Sequence, residues 1–235
     1  MKSELSEIKR GATWQNIYEM LWHIATVRYS SYKQIKEVYK DKVWCKKCLT
    51  PKKLKMLAEK EFLRESENRV LSVTPRTVEF LREYSDYNAD IIKLPLGKGE
   101  RDTLYNADVL LRVMRLPEFF ALFYSEFYEN PGDSQPFLIP DGVLVLQKKG
   151  KAKLVFLEIE RKKPDWEGHL SGKKWKYEKI AERPETWSQW WRDWCRLLNM
   201  SHCPIEEFGF MVWCIGDFKE DWPGWKFSKT LNVNY

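Results

Sequence analysis

Three acidic residues lie inside two apolar runs of the chain, each as long as one β-strand. The stretch LIPDGVLVLQKKGKAKLVFLEIE contains Asp141 in the first run, and Glu158 and Glu160 in the second. A carboxylate in a buried strand is costly unless something compensates it. Protonation, a cationic side chain or a bound divalent cation could do so, and clustered carboxylates are suitable ligands for Mg²⁺. These three residues are therefore the first candidates for a chemical site.

A β-hairpin would bring the acids together. The dipeptide KG between the two runs suits a two-residue hairpin loop. With that loop, Val143 pairs with Phe156 and Asp141 lies opposite Glu158, while Glu160 shares the face of Glu158 because side chains alternate along a strand. Directly opposed residues have Cβ atoms about 4.5–5.5 Å apart. Two carboxylates at that distance repel each other, which favours a metal or a proton between them.

The PDG segment, the apolar strand and the LEIE segment resemble the PD-(D/E)xK nuclease superfamily. The resemblance implies a restriction-endonuclease-like α/β core with a mixed sheet, in which Asp141 and Glu158 bind Mg²⁺ or Mn²⁺ during hydrolysis of DNA phosphodiester bonds. Glu160 stands where the superfamily usually has lysine, so it would be a third ligand or would orient the water. Lys162, Lys163 or Lys174 could supply the missing positive charge from nearby.

A narrower resemblance covers most of the chain. A winged helix, the segments LYNADVLLRVM, PDG, LEIER and KWKYEKI, and a C-terminal strand are together similar to the replication-relaxation proteins. These proteins accompany the replication or transfer of plasmids and mobile elements. The resemblance implies DNA binding, and it implies that Lys174 or Lys176, together with Tyr177, completes the site from the helix after the second strand.

A structural interpretation of the same acids remains open. They could pair with basic residues in an ion network, for which the candidates are Arg112, Arg161, Lys162 and Lys163. The protein would then be a non-catalytic DNA-binding replication-accessory protein. A third hypothesis is a transcriptional regulator whose C-terminal domain binds a ligand or another protein.

The N-terminal third has the element order of a winged helix-turn-helix. Helical spacing of apolar residues starts near Trp14, a second helix follows Ser31 as N-cap, and a third follows Thr50 with Pro51 at its first position. Two short strands then flank a polar turn at residues 65–68. The chain is accordingly divided into a winged-helix domain at 1–88, a linker at 89–102 and a nuclease-like domain at 103–235.

The basic charge of the chain is concentrated in this same third. Residues 1–80 hold 17 Lys and Arg against 10 Asp and Glu, whereas the formal net charge of all 235 residues is +6. A locally basic module is typical of proteins that bind nucleic acid. Double-stranded DNA is the expected partner, and the alternative is a helical bundle with ordinary surface lysines. The expected DNA-contacting residues are Lys46, Lys47, Lys52, Lys53, Lys55 and Arg69.

Cysteine usage and the N-terminus suggest a cytoplasmic protein. The chain has 5 cysteines at irregular spacing, which is a poor disulfide framework. The first residues lack the apolar centre of a signal peptide. Cys45 and Cys48 form a CxxC pair, for which a zinc site and a redox pair are less expected than two ordinary cysteines.

The remaining segments are interpreted as parts of the second domain. Residues 103–133 are predicted to be helical with a break near Pro117, and residues 208–215 to form a third strand. Tryptophans at 187, 190, 191 and 194 lie on one stripe of a helix, as a core or a subunit interface requires. Cutting at a palindromic DNA site would imply a two-fold homodimer.

Overall fold

The computed structural model describes residues 14–66, 69–84, 100–128, 133–148, 151–159, 166–198, 211–215, 222–223 and 225–228. The chain divides into two compact units, residues 1–112 and 113–235. The described elements form an α/β protein with one antiparallel and one mixed sheet. None of the helices among these residues is long and apolar enough to cross a membrane.

The first unit is mostly helical, with a small three-stranded sheet. In chain order its elements are α1 (Trp14–Val27), β1 (Ser30–Ser31), α2 (Tyr32–Tyr39), α3 (Val43–Cys48), α4 (Pro51–Glu59), β2 (Leu63–Glu65), β3 (Val70–Val73), α5 (Pro75–Tyr84) and α6 (Glu100–Val113).

Side-chain caps define where two of these helices begin. Ser31 and Gln34 form a reciprocal capping box at the start of α2. At the start of α4, the Thr50 hydroxyl accepts a hydrogen bond from the Lys53 backbone N–H, and Pro51 takes the first helical position. Such caps satisfy backbone N–H groups that the first helical turn leaves without partners. Both predicted helix starts are confirmed.

The small sheet packs its central strand between two neighbours. β3 pairs antiparallel with β1 on one side and with β2 on the other, so the predicted strands around the polar turn are confirmed. The short helix α3 was not expected, and it contains the CKKC segment. Three of its side chains, Trp44, Cys45 and Cys48, are buried. The apolar contacts of these side chains explain why so short a segment is helical.

The last helix of the first unit contacts α2. The Tyr39 hydroxyl donates to the Leu111 backbone carbonyl at 3.1 Å. The helix α6 starts at Glu100, inside the segment interpreted as a linker, whose residues 89–99 lie outside the described ranges. The boundary between the two compact units follows Arg112, ten residues after the predicted one at 102.

The second unit is a five-stranded sheet with two described helices. Its elements are β4 (Phe119–Phe123), β5 (Gly142–Lys148), β6 (Lys151–Ile159), α7 (Trp166–Ala181), α8 (Pro184–Leu197), β7 (Met211–Ile215) and β8 (Trp225–Ser228). The strand order is β4-β5-β6-β7-β8. The first three strands are antiparallel, whereas β7 runs parallel to both β6 and β8.

The predicted register of the central hairpin is confirmed. Val143 pairs with Phe156 and Val145 with Leu154. β6 is the middle strand of the sheet, and its apolar residues from Leu154 to Leu157 are all buried. A strand covered on both faces is expected to be continuously apolar, as β6 is from Leu154 to Ile159 apart from Glu158.

The helical interpretation of residues 103–133 is partly wrong. The chain is helical to Val113, but Phe119–Phe123 form strand β4, which pairs with β5. This FFALF segment is rich in aromatic residues, which favour strands. Its strand hydrogen bonds are made with β5, about 20 residues later in the chain. The pattern of the preceding helical residues therefore could not predict this strand.

The described part of the tryptophan stripe packs into the second unit. Trp191 is 1% exposed, the Trp190 indole N–H donates to the Ser125 hydroxyl at 2.9 Å, and the Trp194 ring stacks on Phe123 with centroids 3.8 Å apart. The side chain of Trp187 lies outside the described residues. Trp190 and Trp194 hold α8 against the strand β4 and the residues just after it.

Removing the Thr50 hydroxyl tests whether it stabilises the first turn of α4. We expect Thr50→Ala to lower the free energy of unfolding by about 1 kcal/mol, because the first turn loses its side-chain acceptor. Thr50→Ser keeps the hydroxyl and is the matched control, with a loss of under about 0.5 kcal/mol. Urea unfolding followed by circular dichroism measures both. Equal losses in the two variants would contradict a capping role.

Candidate functional site

Backbone and side-chain hydrogen bonds position the first acid. Asp141 lies immediately before β5, and its backbone N–H donates to the Leu157 carbonyl at 3.0 Å. Its carboxylate oxygen Oδ2 accepts from the Ile159 backbone N–H at 2.7 Å. These two bonds attach the start of β5 to the end of β6 on either side of Glu158.

The second acid is buried and accepts two hydrogen bonds from one helix. Glu158 has no solvent exposure. Its Oε2 accepts from the Lys173 ammonium at 2.5 Å, and its Oε1 accepts from the Tyr177 hydroxyl at 2.7 Å. Lys173 and Tyr177 are four residues apart on α7, so they lie on the same face of that helix. The helix and the central strand therefore meet at one carboxyl group.

Burial raises the pKa of the Glu158 carboxyl group into the neutral range. It raises the pKa of Glu158 to about 8, and the charge of Asp141 adds to the rise, while Lys173 and Tyr177 oppose it. Burial, followed by the charge of Glu158, raises the pKa of Tyr177 well above its ordinary value. The two donors suit the ionised carboxylate, whereas burial favours the neutral acid. Because these effects oppose each other, Glu158 titrates near pH 8, close to physiological pH.

The structure brings Lys173, rather than the predicted Lys174, to the acids. Lys174 pairs with Glu178 at 3.6 Å and lies 5.0 Å from the centroid of the Trp222 ring. The predicted Tyr177 does contact Glu158. Spacing from Tyr177 does not distinguish the two lysines, because Lys173 is four positions away and Lys174 three, and both spacings share a helix face.

The other predicted contributors divide into two groups. Arg112 pairs with Asp108 at 3.0 Å and with Glu37 at 3.3 Å, all within the first unit. Glu160, Arg161, Lys162 and Lys163 lie outside the described residues. The described part of the site therefore consists of Asp141, Glu158, Lys173 and Tyr177.

The carboxylate oxygens of the site are suitable ligands for a hard cation such as Mg²⁺. Asp141 and Glu158 supply carboxylate oxygens, and Mg²⁺ in proteins is often held by one or two carboxylates together with oxygens of the substrate phosphate. Among the described residues, no group of three or more His, Cys, Asp or Glu could hold a metal ion. The two acids can thus serve as ligands only together with water, substrate or residues beyond the described ranges.

The predicted DNA-contacting residues lie on one helix and on the segments beside it. On α4, Leu54 and Leu57 are buried, while Lys52 and Lys55 are exposed and Lys53 is half-buried. Lys46, Lys47 and Arg69 are exposed too. The Lys55–Glu59 pair, with its atoms 3.9 Å apart and both side chains exposed, neutralises little of this charge.

The CxxC pair lies in an apolar setting. Cys45 and Cys48 are buried free thiols, and burial raises the pKa of Cys48 to about 11. A thiol with a raised pKa is a poor nucleophile and a poor metal ligand. The nearby His23 ring packs against Tyr39 and Trp44, and burial lowers its pKa to about 4. This cluster contributes to packing in the first unit.

Comparison of the chain with protein-family models, with curated proteins and with solved structures found no match. The two family resemblances drawn from the PDG, LEIE and KWKYEKI segments therefore stay predictions. The geometry of the site and the charge of the first unit are the features that bear on the protein's function.

The shifted pKa of Glu158 makes stability depend on pH in a defined direction. The pKa of Glu158 is about 8 in the folded protein against an ordinary value of 4.5, so the folded state binds this proton more tightly. Its contribution to stability is complete below pH 4.5 and is lost as the pH rises through 8.

Glu158→Gln removes this titration and is the reference variant. We expect the free energy of unfolding of the wild type, minus that of the variant, to fall between pH 5 and 8 by up to about 1.4 kcal/mol per pH unit. Urea unfolding followed by tryptophan fluorescence at several pH values measures the difference. A difference that is constant or that rises with pH would show that Glu158 is ionised throughout.

Proposed function

We propose that the protein binds double-stranded DNA through its first unit and hydrolyses DNA phosphodiester bonds at the site around Asp141 and Glu158. The observation that carries the proposal is the cluster of Asp141, Lys173 and Tyr177 around the fully buried Glu158. Apolar residues of similar size would fill this place with equal or better stability. Ionisable groups with strongly shifted pKa values concentrate at functional sites.

The arrangement of the strands supports this choice. A mixed sheet with one acid at the start of a strand and another near the end of its neighbour agrees with the PD-(D/E)xK pattern. That pattern also includes a lysine, which this chain lacks at Glu160. Lys173 reaches the same carboxylate from α7 and would replace that lysine.

Each described residue would have a distinct role. Asp141 and Glu158 would hold Mg²⁺ or Mn²⁺, which when bound supplies positive charge against the charge that develops on the phosphate. Tyr177 orients the Glu158 carboxylate by donating to Oε1. The Lys173 side chain is 18% exposed and its ammonium contacts Glu158, so it would donate a hydrogen bond to a phosphate oxygen of a substrate bound beside the acid.

The first unit would act as a winged helix-turn-helix. Its order of helices followed by the β2–β3 hairpin suits that motif, in which the third main helix enters the major groove. Here that helix is α4, and its lysines and those of α3 would contact phosphates. Arg69, just before β3, would contact the DNA backbone. The resemblance to replication-relaxation proteins suggests that this activity serves the replication or transfer of a plasmid or mobile element.

One observation favours a second candidate function. Both oxygens of Glu158 accept hydrogen bonds, from Lys173 and Tyr177, as in a purely structural ion pair. In that case the second unit would be a scaffold, and the protein would be a non-catalytic DNA-binding accessory or regulatory protein.

A cleavage assay separates the two candidates. We expect the wild type to cut plasmid DNA with Mg²⁺ or Mn²⁺. Asp141→Asn should reduce the rate by about 100-fold or more, because it removes a carboxylate ligand of the metal that would stabilise charge at the phosphate. Lys173→Met should lose at least about 10-fold, whereas the adjacent Lys174→Met, which removes the same charge from the same helix, should not.

The products are resolved on gels, with circular dichroism to verify that each variant is folded. Absence of cutting by the wild type on supercoiled, linear and branched DNA would overturn the catalytic proposal and leave the scaffold. Equal loss in the two lysine variants would contradict the role of Lys173.

Duplex binding tests the role of the first unit separately. We expect replacement of Lys52, Lys53 and Lys55 by alanine to weaken duplex binding and to reduce the salt dependence by about 0.9 in log–log slope for each phosphate that the variant no longer neutralises. Alanine at Lys33, Lys36 and Lys40, on α2 and at its C-cap, removes the same charge and is the control. Fluorescence anisotropy at several salt concentrations measures both. Equal effects would indicate a nonspecific charge effect instead of a binding surface.

A further inference from the structure

A group of apolar side chains in the second unit remains accessible to solvent. Trp175 is 51% exposed, Ile139 is 53% exposed and Tyr128 is 44% exposed. Among the described residues, the one other large hydrophobic side chain with comparable exposure is Val43, in the first unit. Exposed apolar residues that gather in one place mark binding sites more often than single ones do.

Local structure holds this group in place. Phe127 and Leu138 form an antiparallel bridge, which fixes the segment that contains Phe137 and Ile139. The Phe137 ring contacts the Trp175 ring edge-on, with centroids 5.6 Å apart and planes 62° apart. One edge-on neighbour supports an aromatic ring without covering both of its faces. We call the Phe137–Trp175 pair the aromatic platform.

Lysines flank the aromatic platform on α7. The segment KKWKYEK, residues 173–179, has four lysines and one glutamate, and Lys173, Lys174 and Lys179 pair with Glu158, Glu178 and Glu182. The Lys176 ammonium lies 5.4 Å from the centroid of the Phe137 ring. Exposed aromatic rings can stack on flat bases, and neighbouring lysines can contact the phosphates that join them. Single-stranded nucleic acid has that chemistry.

Phe137 brings the aromatic platform near the candidate site along the chain. Phe137 precedes Asp141 by four residues, which reach about 14 Å at most when fully extended. Stacked nucleotides advance about 3.4 Å each, so a few nucleotides cover this distance. On α7, Trp175 is two residues from both Lys173 and Tyr177, so it lies on the side of the helix away from Glu158, and a strand stacked on Trp175 would pass Phe137 to reach the acids.

We propose that the aromatic platform stacks unpaired bases of a DNA strand that leads into the Asp141/Glu158 site. The substrate would then be DNA with a single-stranded arm, such as a fork, a flap or a displaced strand, rather than an uninterrupted duplex. The proposal rests on the proposed function for the chemistry at the end of the strand. The stacking itself requires no hydrolysis, so binding can be tested without it.

Binding in the presence of EDTA tests the aromatic platform by itself. The probe is a fluorescein-labelled oligothymidylate, compared with a labelled duplex, and the readout is anisotropy of the full chain. We expect Trp175→Leu to weaken binding to the single strand about 5- to 150-fold, which is the range for loss of one base–aromatic stack. Trp175→Phe keeps an aromatic face and should retain most of the affinity. Duplex binding should change less than about twofold in either variant.

Ile139→Ala is the matched control, because it removes an exposed apolar side chain of the same group without removing a ring. It should change single-strand affinity less than about threefold. Wild-type affinity in Trp175→Leu would overturn the proposal. So would equal losses in Trp175→Leu, Trp175→Phe and Ile139→Ala, which would indicate a general apolar surface suited to a protein partner.

Cleavage of forked and blunt DNA with Mg²⁺ then separates this inference from the proposed function. If the wild type prefers forked DNA and Trp175→Leu loses that preference while still cutting, both proposals stand. Cutting with no such preference overturns the aromatic platform alone. Single-strand binding that depends on Trp175, without any cutting, overturns the hydrolysis alone.

Discussion

The carboxyl group of Glu158 is the constraint on which the second unit depends. A fully buried acid in the central strand of a sheet is tolerated only when donors reach it, and here both donors come from α7. The helix must therefore sit over the end of β6 in one rotation and at one height. Apolar packing alone allows small sliding between a helix and a sheet, whereas two hydrogen bonds to one carboxyl group do not. The unique position of α7 comes at the free-energy cost of removing the Glu158 carboxyl group and the Lys173 ammonium from water.

The same constraint determines the surroundings of Asp141. Its side chain accepts from the backbone N–H that follows Glu158, so the positions of the two acids are coupled through the backbone of β6. Their mutual repulsion is part of what shifts the Glu158 titration. A cation that enters between them would relieve that repulsion, whether it is the ammonium of Lys173 or a metal ion. The two candidate functions differ in which cation the site holds when it works.

Much of this arrangement could be predicted from local sequence, because the determining interactions are short in range. The helix starts at Ser31 and Thr50 follow from side chains that bond to a backbone three residues away. The hairpin register follows from its turn. Strand β4 could not be predicted in this way, because its aromatic residues become a strand only through pairing with β5. Lys173 was missed because adjacent lysines look alike until the rotation of α7 is known.

The helix α7 turns about 100° per residue, so Trp175 points almost opposite to both Lys173 and Tyr177. One face of the helix is therefore constrained by a buried charge, while the opposite face is half exposed at Trp175. Substitutions on the outward face can accumulate without disturbing the acids. Under the proposed function, changes on one side of this helix would retarget the protein to a different DNA architecture while the acids on its other side are preserved.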